Sequence, residues 1–522
     1  MELNHMNLVE SSRALRRVAA LTWLILFAIA PLSLVRAAPT SEWADKVDAD
    51  LRQLAKSDRQ AVVPVLISIH TPNVPVPRPP VELAQRQAFV AALKAASAAA
   101  QAPVLKGLEA RGLKPTSYWV GQAIAVELPS AELEWLASQS SVKHVHRDRH
   151  LTVEADISER NPTLAKDSVC SNAGAPTWGV DRVQAPAVWA QGFTGQGVVV
   201  AGADTGYQWN HPALIGKYRG WNGATADHHY NWWDAIRSGS NTTCGVASPQ
   251  PCDDNSHGTH TMGTMVGDAG GGNAIGVAPG AKWIACRNMN SGNGTMSSYN
   301  SCFQFFLEPT RLDGSAGNTA LAPNVINNSW GCPTDEGCNT ANFVQMETVI
   351  NTLQAAGILV VGSAGNSGSA CSTIDTPLAI FSATFTVGNS NIGDSMEASS
   401  SRGPVTVDSS NRMKPEISAP GSSICSSVPG NGYGLKNGTS MAGPHIAGVA
   451  ALLMSANPSL RGNPEAVKQA IIGTAAPILG ISQNCGGLAT TDVPNNVGGY
   501  GRVDAFAAFQ LVAGSMYRDG FE

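Results

Sequence analysis

Charge is scarce in this sequence. Of 522 residues 14 % are charged and the formal net charge is −5, where an average globular protein carries about 25 % charged residues. Without a Lys/Arg run or a basic excess there is no electrostatic footprint for nucleic acid, and that class of partner is excluded. Aromatic residues make up only 6 % of the chain. No C-x-x-C occurs, which removes zinc ribbons and dithiol redox motifs, and no cysteine precedes Cys170. Long apolar runs are also missing after the first 37 residues, so no later segment is expected to span a membrane. What is present is length, 43 % hydrophobic residues, 53 Gly and 31 Pro. At roughly 100–200 residues per domain this describes two to four domains with ample core, neither a disulfide miniprotein nor a disordered chain.

The scarcity of charge is uneven. Residues 38–165 hold 28 charged residues among 128, whereas residues 166–522 hold 39 among 357, and all ten cysteines, Cys170 to Cys485, lie in the second region. Two differently built regions follow a leader in which Arg13, Arg16 and Arg17 precede the apolar stretch Val18–Val35 and the small-residue exit at Ala37. That layout is a secretory signal, residues 1–37, cleaved after Ala37. The rival reading is an uncleaved anchor, because 18 apolar residues fall within the roughly 17–25 that a span needs. Pro31 and the exit favour the signal. Export makes an even number of cysteines read as disulfides. Cys244/Cys252 and Cys332/Cys338 are the pairs closest in sequence, and the other pairings stay open.

Residues 38–150 alternate strand and helix signals. Ala61–His70 is a β-rich apolar run, Val81–Arg111 is helical, Ser117–Leu128 reads as one or two strands, Pro129–Ser138 as a short helix and Val142–Val145 as a last strand. This β-α-β-β-α-β order predicts a small α+β domain of ferredoxin-like type. Polar residues 151–176 read as an exposed linker, the kind of segment that proteases cut. Beyond it, strands expected at Val198–Ala201, Lys282–Cys286, Val325–Asn328, Ile358–Ser363, Phe385–Gly388 and Glu416–Ala419 alternate with helices over residues 177–512. Such alternation implies an α/β domain with a mostly parallel sheet and ligand sites at the carboxyl ends of its strands. Polar residues stand at those ends: Asp204, Ser329 and Asn366. Residues 513–522 read as a tail, and Asp519–Glu522 has no mechanism to offer.

Covalent hydrolysis of a peptide bond needs a hydroxyl nucleophile, a base, an anion to orient the base, and donors for the oxyanion. Four motifs carry these groups: Ala203-Asp204-Thr205-Gly206; Asn255-Ser256-His257-Gly258-Thr259-His260; Ser363-Ala364-Gly365-Asn366-Ser367-Gly368; and Asn437-Gly438-Thr439-Ser440-Met441-Ala442, which leads into an apolar helix. The order Asp, His, Ser is that of subtilisin and not of chymotrypsin or the α/β-hydrolases, and no G-x-S-x-G elbow surrounds Ser440. In these motifs the chain resembles the subtilisin-like serine proteases, and Asn327–Gly331 (NNSWG) with Gly276–Arg287 (GVAPGAKWIACR) is similar to their bacillopeptidase F-like branch. The likeness covers about residues 178–512, and a weaker one to inhibitory propeptides covers about 62–147.

The resemblance implies that Asp204 orients the imidazole, His257 is general base and then acid, Ser440 is the nucleophile, and Asn366 donates to the oxyanion beside the Ser440 N–H. It also implies that Ser329-Trp330-Gly331 and Gly292-Asn293-Gly294 bind an extended polypeptide substrate as an added strand, with Ser363-Ala364-Gly365 as a wall of the primary pocket. Asp375 falls near the expected base of that pocket, where a carboxylate would select Lys or Arg; the plainer reading is a surface-loop acid. No cofactor is required for such chemistry. Structural calcium is common in the family, but the matching stretch Gly267–Asn273 holds one carboxylate, so calcium sites stay unassigned. Asp253-Asp254 reads as a solvated turn in preference to a calcium ligand pair. His228, His229, His260 and His445 read as solvated or packing residues, because H-x-x-H lacks the spacing of a metalloprotease helix. Asn241 and Asn293 fit glycosylation sequons. The reading is a secreted, disulfide-containing serine endopeptidase made as a precursor, its own propeptide acting as intramolecular inhibitor. No membrane contact follows once the signal is removed, and nothing demands more than a monomer. The alternative from another class is a catalytically silent protein that keeps the fold for binding.

Overall fold

The apolar run near residue 61 forms β1 (Val62–Ile69), whose inward side chains Val63, Val65, Ile67 and Ile69 are buried. Around it the computed structural model, which describes residues 43–152, 175–239, 243–331, 340–478, 480–489 and 491–519, places α1 (Ala49–Ser57), α2 (Leu83–Glu109), β2 (Thr116–Tyr118), β3 (Ala123–Pro129), α3 (Leu133–Ser138) and β4 (Val142–Arg147). The strands make one antiparallel sheet in the order β2-β3-β1-β4. This is the expected α+β domain with one addition, α1, which buries only Leu51. A single buried apolar residue leaves too little periodicity to mark a helix. The leader, residues 153–174 of the linker, the Cys332/Cys338 pair and Asn241 lie outside the described residues.

Contrary to the sequence expectation, α2 is long and apolar enough to cross a membrane by length and composition. It is packed in the domain: Val104 and Leu108 join the core around β1, while Phe89 and Val90 join a second core with residues of the following domain.

The chain then enters β5 (His150–Thr152), α4 (Trp178–Arg182), α5 (Ala185–Trp189), β6 (Val199–Asp204), β7 (Trp232–Asp234), α6 (His257–Val266), β8 (Lys282–Arg287), β9 (Met289–Asn290), β10 (Asn293–Thr295) and α7 (Met296–Leu307). After these come β11 (Val325–Asn328), α8 (Thr340–Ala355), β12 (Leu359–Ser363), β13 (Thr384–Ser390), β14 (Ile417–Pro420), β15 (Ile424–Val428), β16 (Gly432–Lys436), α9 (Thr439–Ala456), α10 (Pro464–Ile472) and α11 (Ala505–Asp519). Seven strands form one sheet in the order β14-β13-β12-β11-β6-β8-β7, with every pairing parallel. The strands read from the sequence are all present within one to three residues at each end. Three-residue β7 and the Ser- and Gly-rich hairpin β15/β16 are additions that their composition does not announce. Helix α11 runs past Val512, where the tail was expected to begin.

The sheet starts with β6, third from one edge, extends to β8 and β7 on that side, and then crosses back to β11 on the other. That reversal opens a crevice at the carboxyl ends of β6 and β11. The register holds the ends level, with Ala203 beside Asn328 and Asp204 beside Arg287. Helix α9, apolar on all sides and buried along its whole length, lies against the sheet. Disulfides join Cys244–Cys252, as expected, and also Cys286–Cys302 and Cys371–Cys485; Cys425 is disulfide-bonded as well.

Candidate active site

Asp204 is the last residue of β6 and His257 the first of α6. Their approach depends on Gly258, where a Cβ would lie 2.1 Å from the Gly206 carbonyl oxygen and 3.0 Å from the Asp204 Cβ. His257 Nδ1 stands 2.8 Å from Asp204 Oδ1, with both side chains buried. The Thr205 N–H donates to the same Oδ1 at 2.7 Å. A carboxylate can only accept, so Nδ1 carries the proton and Nε2 the lone pair. Nε2 is buried with no hydrogen-bond partner.

Asp253 secures the start of α6. Its carboxylate accepts from the N–H groups of Asn255, Ser256 and Thr259 and from the hydroxyls of Thr205 and Thr259. Burial raises its pKa against the pull of those donors. Asp254 pairs with the fully buried Arg287, which also meets Asp234 at 3.2 Å. The solvated turn expected at Asp253-Asp254 is therefore a buried brace beneath the site. Its burial could not be read from two adjacent acids.

Ser440 is the second residue of α9. One turn later comes Pro444, which has no N–H to bond the Ser440 carbonyl; Ser329 Oγ donates to that carbonyl instead, at 3.0 Å. In return Ser440 Oγ donates to the Ser329 carbonyl at 3.2 Å. As a first-turn residue Ser440 has no carbonyl one turn back for its own N–H. Asn366, after β12, accepts from Thr439 N–H at 2.9 Å and Thr439 Oγ1 at 3.0 Å through its Oδ1. The side-chain amide is thereby oriented, with its NH₂ end left as donor. Gly438, at φ +143°, permits the close pass: a Cβ there would lie 3.2 Å from Asn366 Nδ2.

The candidate substrate residues divide into backbone and side-chain roles. Trp330 points inward, stacking on Tyr299 at 3.8 Å and donating to the Ala203 carbonyl, and Ala364 is core. A small depression beside Ser440 is lined by Trp330, Gly331, Ser363, Gly365 and Thr376. Thr376 lines that depression, whereas Asp375, half-buried next to it in the chain, is not among its lining residues. Asn293–Thr295 of β10 pairs antiparallel with His150–Thr152 of the chain itself, and Asn293 and Gly294 pair with β9 on the other side; Gly292 precedes β10 in a left-handed turn at φ +84°. Among the packing histidines, His260 is buried, His228 meets Tyr218 Oη and His229 accepts from Leu312 N–H. His445 donates from Nδ1 to the Met441 carbonyl, and burial pushes its pKa down to about 4. In Gly267–Asn273, Asp268 accepts from Gly270 N–H.

A match to the subtilase family model spans residues 195–501, more than half of the chain. The chain belongs to the subtilase family. Bacillopeptidase F of Bacillus subtilis (strain 168) is 36 % identical over 449 residues, which is 83 % of this chain and 29 % of that protein. M-protease of Shouchella clausii (strain KSM-K16) is 33 % identical over 311 residues, 59 % of this chain and 68 % of its own length. Subtilisin E of Bacillus subtilis (strain 168) is 31 % identical over 330 residues, 62 % and 74 % respectively. The chain thus spans less than a third of bacillopeptidase F. In the sequence Asp253 reads as part of a turn, and Thr439 and Thr376 carry no assigned role. Thr439 and Asp253 sit inside or beside quoted motifs, where a hydroxyl or carboxylate next to a functional residue was the only signal. Thr376 had none, since its place depends on the fold of the loop before β13.

Proposed function

We propose that this subtilase is a secreted serine endopeptidase whose triad is Asp204, His257 and Ser440. What carries the reading is the 2.8 Å contact of His257 Nδ1 with buried Asp204 Oδ1, which leaves Nε2 as a base with no other partner. For catalysis Ser440 Oγ leaves the Ser329 carbonyl, to which it donates at 3.2 Å, and donates to Nε2 instead. The proton passes to His257 as Oγ attacks the peptide carbonyl carbon. The oxyanion takes hydrogen bonds from the Ser440 N–H and Asn366 Nδ2, at the positive end of α9. His257 then protonates the leaving amine, and water, deprotonated by the same Nε2, releases the acyl group. No metal or cofactor takes part in these steps. Ser329–Gly331 and Gly292–Gly294 offer backbone to an extended polypeptide, which favours broad sequence tolerance.

In this reading residues 1–37 are the export signal, 38–150 an inhibitory propeptide, and 151–176 hold the maturation cleavage. Support comes from β5, where the chain just after the N-terminal domain adds itself to β10 as a substrate strand would. Ser440→Ala is expected to abolish peptide hydrolysis and labelling by an organophosphonate, and to accumulate the unprocessed precursor, read by N-terminal sequencing. Normal maturation of that variant, in a host without other proteases, would refute self-processing; hydrolysis by it would refute the triad.

A further inference from the structure

Away from the catalytic crevice, Asp48, His144 and His146 bring their ligand atoms within 4.8 Å of one another. His144 and His146 are two apart on β4, and the strand period puts both imidazoles on one face; the ring centroids are 4.5 Å apart. Asp48 is delivered by the parallel bridge of Val47 to Val145 and by its own N–H, which donates to the Val145 carbonyl at 3.1 Å. Its Oδ1 meets His144 Nε2 at 3.0 Å, and its Oδ2 accepts from Arg147 N–H at 2.9 Å.

His146 is the unusual member. It is 1 % exposed, its Nε2 lies 3.0 Å from Ser68 Oγ, and its Nδ1, 3.8 Å from Asp48 Oδ1, has no hydrogen-bond partner. A buried ring nitrogen is thus aimed at a carboxylate oxygen with no hydrogen bond joining them.

We propose that Asp48, His144 and His146 bind a divalent transition-metal ion, for which zinc is the fitting class. Two imidazoles and one carboxylate match the donors of a four-coordinate zinc site with water in the fourth position, whereas calcium and magnesium take mainly oxygen. The supporting shell is in place: with an ion on Nδ1 the His146 Nε2–H donates to Ser68 Oγ, 3.0 Å away, and Arg147 N–H orients the carboxylate. Binding turns the His144 Nε2 lone pair toward the ion, its proton moving to Nδ1, and the ion clamps the chain entering α1 to β4. That strand continues through Asp148 into β5, so the clamp steadies the segment lying along β10. The effect on inhibition rests on the propeptide reading; the metal site does not.

The test uses the full precursor carrying Ser440→Ala, stripped with EDTA and titrated with Zn²⁺ or Co²⁺. One equivalent is expected to bind, with the intense visible absorption of tetrahedral Co²⁺ and a raised midpoint of thermal unfolding. Asp48→Asn and His144→Gln are each expected to weaken binding by at least about 100-fold, since loss of a ligand exceeds the 10–100-fold cost of losing an outer-shell partner. Both residues are only partly buried, and unchanged unfolding of the metal-free variants serves as the folding control. Binding that is not stoichiometric, or that survives in both variants, would overturn the site. Processing of the precursor despite Ser440→Ala would bear on the proposed catalysis alone.

Discussion

At the scale of single residues, the site is a set of side chains held by neighbours with no catalytic role. Asn366 is held through its acceptor end by Thr439, which separates its two functions experimentally. Asn366→Asp keeps the acceptor for Thr439 and removes the Nδ2 donor proposed for the oxyanion. It is expected to lower kcat by at least about 10²–10³, the size known for loss of one such donor in subtilisin, with KM little changed. Wild-type kcat in that variant would remove Asn366 from the oxyanion site.

His445 gives a pH dependence whose sign can be worked out. Its folded pKa of about 4 lies below the ordinary 6.5 because of burial, with the Met441 carbonyl opposing. Between those values the unfolded chain binds the proton and the folded chain does not. The stability associated with neutral His445 is therefore present in full above about pH 6.5 and is lost as pH falls toward 4. It amounts to about 3 kcal/mol at most. Urea unfolding of the Ser440→Ala protein at pH 7 and pH 4.5 is expected to show that loss, and His445→Met to flatten it. An equal slope in the variant would assign the effect elsewhere.

At the scale of elements, legibility followed burial. The strands of the central sheet are buried on both faces and read as continuous apolar runs, so they were visible in the sequence, as were α6 and α9 through their motifs. Helix α1 buries only Leu51, β7 is three residues long and the β15/β16 hairpin, though β15 is largely buried, is rich in Ser and Gly, so these took shape only from their neighbours. The site followed the same division. Asp204, His257, Ser440 and Asn366 stand out because a strand end or helix start must carry a specific group there. Thr376 and the Ser329–Ser440 reciprocal bonds depend on how loops meet. Glycine at a helix start is one place where the two kinds of information join. Gly258→Ala would press a methyl onto the Gly206 carbonyl at 2.1 Å, a backbone atom that cannot rotate away. The expected cost is about 1–3 kcal/mol of stability, together with a fall in kcat as His257 shifts from Asp204. Wild-type kcat with wild-type unfolding would show that α6 can retreat freely.

At the scale of the whole molecule, the break in charge and cysteine content near residue 165 falls between the four-stranded antiparallel sheet and the seven-stranded parallel one. Every cysteine lies at or beyond Cys170, so no disulfide ties residues 38–169 to the rest. Under the proposed cleavage of the linker, only noncovalent contacts would hold them. Leu66, Phe89 and Tyr118 share a core with Phe303, Met346 and Val349 of α7 and α8. Arg86 Nε donates to the Ala356 carbonyl at 2.7 Å, and Lys94 meets Glu308 at 2.6 Å. The most informative contact is Asp148. Its N–H is held by the Pro64 carbonyl of β1 at 3.1 Å, and its carboxylate accepts from Ser297 N–H at 3.1 Å and from the Ser297 hydroxyl, in the first turn of α7. It is placed two residues before the strand that covers β10. A carboxylate at a helix start gains from both the dipole and charge-assisted hydrogen bonds, which are worth about 1.5–3 kcal/mol. Since about 1.4 kcal/mol is a tenfold change in affinity, Asp148→Ala is expected to raise the inhibition constant of the N-terminal domain, added to mature enzyme, by roughly 10–100-fold. Asp148→Asn retains an acceptor and is expected to fall between the two. If both variants inhibited like the parent, the hold of the domain on the cleft would lie in the shared apolar core, and release after cleavage would be governed by that surface instead of by this cap.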